Sequence, residues 1–247
     1  MSLNNVLCII GTDTGVGKTI IGSSICSFFY KSGLSVGVFK PAESGLINFS
    51  DTNPSDGFLL QQCSRCPEPL EKIVPYRLSQ PLSPSEASKI DGVSISRDSI
   101  SDILFSLSSS YDLVLMEGAG GLLVPYTDDW LFADLLESLN ISVLLVGRST
   151  LGTVNHTLLT LSELERRNIP VKGFVLNRVS QKTSIEESSN PHSISFFTKT
   201  PFLGLFPFIP ESFRHDPDFL SKAAQENLDL DFLSSFKPFK HENPPSC

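Results

Sequence analysis

The sequence of 247 residues is short of positive charge: 19 Lys and Arg stand against 27 Asp and Glu, a net charge of −8. Nothing in it forms a basic patch able to track a nucleic-acid backbone, so no nucleic acid is expected as a partner. Any anion it binds must be met by a few placed lysines and backbone amides. Long apolar runs are also missing. None approaches the roughly 18–20 residues of a membrane span, so no membrane partner is expected. The opening residues MSLNN carry no charged region of a secretory leader. Histidines are few and scattered (His156, His192, His215 and His241). The pair in "CSRC", Cys63 and Cys66, therefore lacks two further ligands for zinc and reads as a helix end stopped by Pro67. Cys8 and Cys26 lie in apolar runs and read as small core residues. An odd count of five cysteines without a secretory signal points to a reducing cytoplasm.

What is present is a run of short apolar segments alternating with helical patterns. That alternation predicts a single α/β domain with a mostly parallel sheet of about seven strands, flanked by helices. Strands are expected at 6–10, 35–39, 111–117, 142–147, 171–177 and 202–209. Helices are expected at 18–31, 56–65, 97–108, 131–139 and 153–167, the last with Leu158, Leu161 and Leu164 among its apolar positions. The polar stretch 180–193 reads as a surface loop. One domain is expected over 1–235, with a frayed tail over 236–247.

Residues 11–19, GTDTGVGKT, join the first strand to the first helix. A strand, a glycine-rich turn and a helix opening on Gly-Lys-Thr is the setting of a phosphate loop in a P-loop NTPase-like fold. Successive N–H groups there point into a concavity, and the helix start adds positive potential. Gly15 and Gly17 let the backbone approach phosphate oxygens. Lys18 reaches the terminal phosphates of a nucleotide, and the Thr19 hydroxyl can ligate Mg²⁺. The first glycine, Gly11, comes one residue earlier than in the simplest pattern.

Three more polar signals fall near strand ends, where open α/β sheets bind ligands. They are KPAESG at 40–45, Ser55-Asp56, and EGAGG at 117–121. Lys40 alone could be a surface lysine, and Asp56 alone a carboxylate favoured at a helix start. Glu117 follows a strongly apolar strand and precedes flexible glycines, which marks it as a functional carboxylate able to meet a metal.

Taken in order, GTDTGVGKT, KPAESG, Ser55-Asp56, EGAGG, LGTVNH and LNRV resemble the dethiobiotin synthetase family over about residues 6–210. The resemblance implies a cyclo-ligase that makes dethiobiotin from 7,8-diaminononanoate, CO₂ and ATP with Mg²⁺, as a cytoplasmic homodimer. One amine takes up CO₂ as a carbamate, the carbamate attacks the γ-phosphate to give a mixed anhydride, and the second amine closes a cyclic urea. Lys40, Lys18 and Thr14 are then the catalytic candidates. Gly15, Val16, Gly17, Lys18, Thr19 and Ile20 would hold the nucleotide phosphates together with Asp56, Glu117, Gly118, Ala119 and Gly120. Thr19, Asp56 and Glu117 would hold Mg²⁺. The rest of the nucleotide would lie against Asn177, Arg178, Pro207, Phe208 and Ile209, with Asn177 reading adenine by its amide. On residue type alone, Asn177 could equally be a strand-end turn residue. Ser44 would bind the diamine. Its tail carboxylate would reach Gly152, Thr153, Val154 and Asn155 at a helix start across the dimer interface, while His156 reads as a packing or surface residue.

The chain departs from the family at Gly15, where a glutamate is frequent, and the match fades after PFIPE at 207–211. The alternative is a partner-regulated P-loop ATPase of the chromosome-partitioning or division-site type. Those carry a signature lysine five residues before the lysine of the loop's Gly-Lys pair, where this chain has Asp13. A glutaminase-linked amide synthetase needs a further domain, and a non-catalytic nucleotide-binding module would not need Lys40 together with Asp56 and Glu117.

Overall fold

Six apolar runs form one parallel sheet in the computed structural model, which describes residues 3–46, 54–183 and 185–231. In chain order, β1 (Val6–Gly11) leads into α1 (Lys18–Lys31), β2 (Val36–Phe39), β3 (Ala42–Glu43) and α2 (Asp56–Ser64). Next come α3 (Leu70–Ile73), β4 (Tyr76–Arg77), α4 (Pro84–Asp91) and α5 (Arg97–Ser108). The second half runs β5 (Leu113–Gly121), α6 (Phe132–Leu139), β6 (Ser142–Arg148), α7 (Thr153–Arg166) and β7 (Val171–Asn177). It closes with α8 (Glu186–Phe197), β8 (Phe202–Phe206) and α9 (Pro217–Asn227).

The sheet order is β2-β5-β1-β6-β7-β8, with every pairing parallel. Such a sheet is covered on both faces, so its strands read as continuous apolar runs rather than alternating ones. In β1 this is literal: Val6, Leu7, Cys8 and Ile9 are fully buried. Truncating one of them, as in Ile9→Ala, would cost about 2–5 kcal/mol. Helix α1 follows β1 directly and packs against α2 and α9. The carboxyl ends of all six strands therefore open on one edge, and the loops there carry the motifs.

Among the described residues the main sheet has six strands rather than about seven. Only six apolar runs are long enough to cross it, and the two-residue β3 and β4 pair in a separate small ladder. Strand β8 stops at Phe206, not at 209, because Pro207 has no N–H to continue the pairing. The larger correction concerns 180–193, expected as a loop: α8 begins at Glu186. Its buried side chains include Glu187 and Asn190 beside Ile194, so the apolar periodicity that signals a helix is nearly absent. Polar contacts hold it instead. Glu187 accepts from Ser149 Oγ at 2.7 Å and Arg178 Nε at 3.0 Å, and Asn190 donates to the Ser149 carbonyl at 2.8 Å. The tail expectation over 236–247 lies outside the described residues. Among the described residues, no helix is long and apolar enough to cross a membrane.

Candidate active site

The strand ends enclose a cleft of about 450 Å³. Its walls include Thr14, Gly15, Gly17, Lys18, Thr19 and Ile20 from the loop and α1 start, and Lys40 and Ser44 after β2. Asp56 enters from α2, Glu117 to Gly120 from β5, Asn177 and Arg178 from the β7 end, and Phe208 and Ile209 from beyond β8. One concavity thus collects residues spread over most of the chain. Val16 is fully buried beneath the loop, and Pro207 is half-buried.

Lys40 is the electrostatic centre. It follows β2, and its own N–H bonds the Ile73 carbonyl at 2.8 Å, so its backbone is fixed. Its ammonium, 4% exposed, donates to Asp56 Oδ2 at 2.6 Å and Glu117 Oε1 at 2.5 Å. Burial works against the charge on Lys40, but Asp56, Glu117 and Glu43 outweigh it and hold its pKa above the ordinary lysine value. Glu117 is fully buried, and burial pushes its carboxyl upward against the pull of Lys40. Thr19 Oγ1 donates to Glu117 Oε1 at 2.9 Å, while Oε2 is buried with no hydrogen-bond partner among the described residues. Asp56 lies at the cleft wall with half its side chain exposed. Its partial burial is overcome by Lys40, which holds the carboxyl below its usual range. Lys18 is shifted the other way: burial lowers its pKa, despite nearby Glu117.

The loop is held from beneath. Asn177 Nδ2 donates to the Val16 carbonyl at 2.8 Å, and Gly17 has φ 93°. A Cβ at Gly17 would come within 2.0 Å of that same Nδ2, so only glycine lets the loop lie against Asn177. One N–H of the Asn177 amide is thus engaged by the loop, leaving its second N–H and Oδ1 for other partners. Lys18 Nζ donates to the Asp13 carbonyl at 3.2 Å. Asp13, at the signature-lysine position of the partitioning ATPases, pairs with Arg148 at 2.7 Å and accepts from Thr14 N at 2.7 Å.

Gly152 to Asn155 do not line this cleft. Gly152 and Asn155 are exposed, Val154 is partly buried, and Thr153 is buried with Oγ1 3.3 Å from Thr157 Oγ1. His156 is exposed and borders a second hollow of about 420 Å³, which shares Thr14 with the first. Sequence reasoning passed over Glu43, Glu211, Arg214 and His215, all of which line the main cleft. Glu43 lies inside KPAESG, where a carboxylate three residues from the key lysine was a readable signal. Glu211 stands at the limit of the resemblance, and Arg214 and His215 lie beyond it in no motif.

The family described as AAA domain matches residues 5–215. The chain is 39% identical to "ATP-dependent dethiobiotin synthetase BioD" of Thermodesulfovibrio yellowstonii, covering 92% of this chain and 97% of that one. It is 40% identical to the protein of the same name from Anaeromyxobacter sp. (strain K), over 84% and 92% of the two chains. With the one from Bacillus licheniformis it shares 31% identity over 91% and 94%. Among solved structures it resembles the MinC:MinD cell division protein complex of Aquifex aeolicus, with TM-score 0.52, 16% identity and coverage of 89% and 86%. A ParA family ATPase from Chlorobium tepidum gives TM-score 0.51, 14% identity and coverage of 90% and 91%. Likeness at that identity speaks to the fold alone.

Proposed function

The chain belongs to the ATP-dependent dethiobiotin synthetase family, and from that premise we propose how its cleft performs the reaction. The activity is that of an ATP-dependent ligase making dethiobiotin. The finer course we infer is carboxylation of 7,8-diaminononanoate by CO₂, activation by ATP and closure of a cyclic urea. The observation that carries it is the meeting of Lys18, Lys40, Thr19, Asp56 and Glu117 at one end of a single cleft.

Bringing a carbamate onto a triphosphate joins two anions, so the site must supply positive charge and alignment. The nitrogen lone pair of one amine attacks CO₂, giving a carbamate and releasing a proton. A carbamate oxygen then attacks the γ-phosphorus, ADP leaves, and a carbamic–phosphoric anhydride remains. The second amine attacks its carbonyl carbon, phosphate departs, and the ring closes with loss of a second proton. Lys18 would bridge the γ-phosphate and the carbamate. Lys40 would hold the carbamate from the other side and stabilise charge developing on its oxygens. Thr14 and Ser44 would donate hydrogen bonds to the diamine. Asn177 Oδ1 would accept from the amino group of adenine, with Arg178, Pro207, Phe208 and Ile209 around the nucleoside.

The residues fit a magnesium ion. The Glu117 Oε2 atom without a partner, the half-exposed Asp56 carboxylate and the Thr19 hydroxyl are oxygen donors of the kind Mg²⁺ takes. Asp56 and Glu117 already share one cation, the Lys40 ammonium. When bound, the ion would offset phosphate charge. The assembly proposed is a homodimer in which Gly152 to Asn155, around the start of α7, meet the tail carboxylate of a diamine bound by the partner subunit.

The test is an assay of the purified chain with MgATP, bicarbonate and 7,8-diaminononanoate, reading dethiobiotin by mass spectrometry beside phosphate release. Diamine-dependent product in step with phosphate is expected. Hydrolysis of ATP that ignores the diamine would instead favour a regulatory ATPase.

A further inference from the structure

Glu43 is a buried carboxylate to which the reaction above gives no part. Only 3% of it is exposed, yet it lines the cleft. Its backbone is fixed by the small ladder, where Glu43 pairs with Arg77 and its carbonyl accepts from Leu78 N at 2.7 Å. Both carboxylate oxygens are engaged. Oε1 accepts from the backbone N–H of Asp56 at 2.6 Å, and Oε2 from that of Gly57 at 3.1 Å. These are the first two N–H groups of α2, which an α-helix leaves without internal partners.

That helix start already has a local cap: Ser55 Oγ accepts from Phe58 N at 3.2 Å. Glu43 adds a second anchor from a different element, and the local backbone is fitted to it. A Cβ at Gly57 would come within 2.2 Å of Val74 Cγ2 and 3.3 Å of Glu43 Oε2, so glycine lets α2 lie this close. The residue whose N–H is gripped is Asp56, whose side chain meets Lys40 in the cleft.

We infer that Glu43 is a positioning residue that fixes the start of α2, and with it the Asp56 carboxylate, for the cation held beside Glu117. The inference rests on the magnesium reading of Asp56 and Glu117 given above. Glu43 acts through the backbone of Asp56. Each of its oxygens already accepts one of these N–H groups, which assigns it to the helix start. Partners that orient metal ligands are commonly worth ten- to a hundred-fold in metal affinity.

The test is calorimetry of a non-hydrolysable ATP analogue across a Mg²⁺ series, with the full chain and the variants Glu43→Gln and Glu43→Ala. Glutamine keeps the shape and one acceptor but loses the second, so its Mg²⁺ requirement should rise about tenfold. Alanine should raise it further, with metal-free binding of the analogue unchanged in both. A brace for the fold alone would lower the melting temperature yet leave the Mg²⁺ requirement of the folded protein unmoved. A requirement within twofold of wild type in Glu43→Gln overturns the inference, even if Glu43→Ala fails to fold. Should the wild-type chain bind the analogue equally well with and without Mg²⁺, the metal reading itself fails and takes the inference with it.

Discussion

Two clusters in this molecule each set one cation against several carboxylates, in different surroundings. In the cleft, Lys40 bridges a buried Glu117 and a half-exposed Asp56 from a position nearly closed to water. Between α6 and α7, Arg167 bridges Glu163 at 2.6 Å, Asp134 at 2.6 Å and Glu137 at 2.9 Å at the surface. The contact lengths are alike, so distance does not separate the two. Solvation does. The outer cluster gains from its pairs and loses little by forming them. The inner cluster sets a heavy desolvation cost against its own attraction, and replacing such pairs by apolar residues is often neutral or stabilising. A charged group buried at that cost in a cleft, among motif residues, is better explained by chemistry than by stability.

The strongest way to break this comparison is Lys40→Ala. Turnover should fall about 10³-fold or more, as for loss of a group aimed at developing charge. Binding of MgATP should remain within a few-fold of wild type, because Lys18 and the loop amides still hold the phosphates. Steady-state kinetics beside calorimetry checks both parts, and a variant with wild-type turnover would sink the carbamate role. Stability should move as well, since Glu117 loses its buried partner, a change worth about 3–5 kcal/mol where the charge stays uncompensated.

Next in size is a pH dependence. Burial pushes Glu43 from the ordinary carboxylate value of 4.5 up to about 7, against the pull of Lys40. Between those values the folded chain holds a proton that the unfolded chain has released. Stability attributable to Glu43 is therefore complete below about pH 4.5 and is lost as the pH rises to 7, by about 3 kcal/mol at most. Glu43→Gln should flatten that slope in urea unfolding without nucleotide or metal. An unchanged slope would remove Glu43 from the inner cluster's energetics.

How far each cluster could be read from sequence follows the same division. Lys18, Thr19 and Glu117 were legible from the glycine turn and the strand end beside them, whereas Lys40 and Asp56, each open to an ordinary surface or helix-start reading, were marked as site residues by the family resemblance. Their meeting needed only the rule that parallel strands open on one edge. Glu43 was not singled out, since its role depends on β3 lying beside the start of α2, a tertiary fact. Helix α8 was missed for a related reason: Glu187 and Asn190 bury polar groups against Ser149 and Arg178, and a hydrophobic period cannot report a helix held that way. In the outer cluster, the pairs of Glu163 with Arg166 and Arg167 are ordinary helical spacings. The reach of Arg167 to Asp134 and Glu137 crosses between helices and leaves no mark in the sequence.

A smaller effect is expected from Arg167→Ala. Its side chain is 13% exposed and carries three carboxylate contacts, so about 1 kcal/mol of stability should go, towards the upper end for ion pairs near the surface. Turnover per folded molecule should stay at the wild-type level. A loss of catalysis comparable to that of Lys40→Ala would show that the outer cluster also serves the chemistry, and the contrast would fail.

The smallest effect belongs to Arg166→Ala. Arg166 binds Glu163 through two nitrogens, each at 2.7 Å, yet its side chain is 66% exposed. Water screens that pair, and Glu163 keeps Arg167 when Arg166 is removed, so the urea midpoint at pH 7 should not move measurably. Acid is the condition that exposes the pair. Arg166 first, then Arg167, pull the Glu163 carboxyl from 4.5 down to about 2. The stability this gives is present above about pH 4.5 and is lost as the pH falls towards 2, the opposite slope to that of Glu43. Arg166→Ala should weaken that acid-side slope, and 0.5 M salt should do the same to the wild-type chain. A slope that ignores both changes would mean that burial, not pairing, sets the behaviour of the outer cluster, and the two clusters would then differ only in degree.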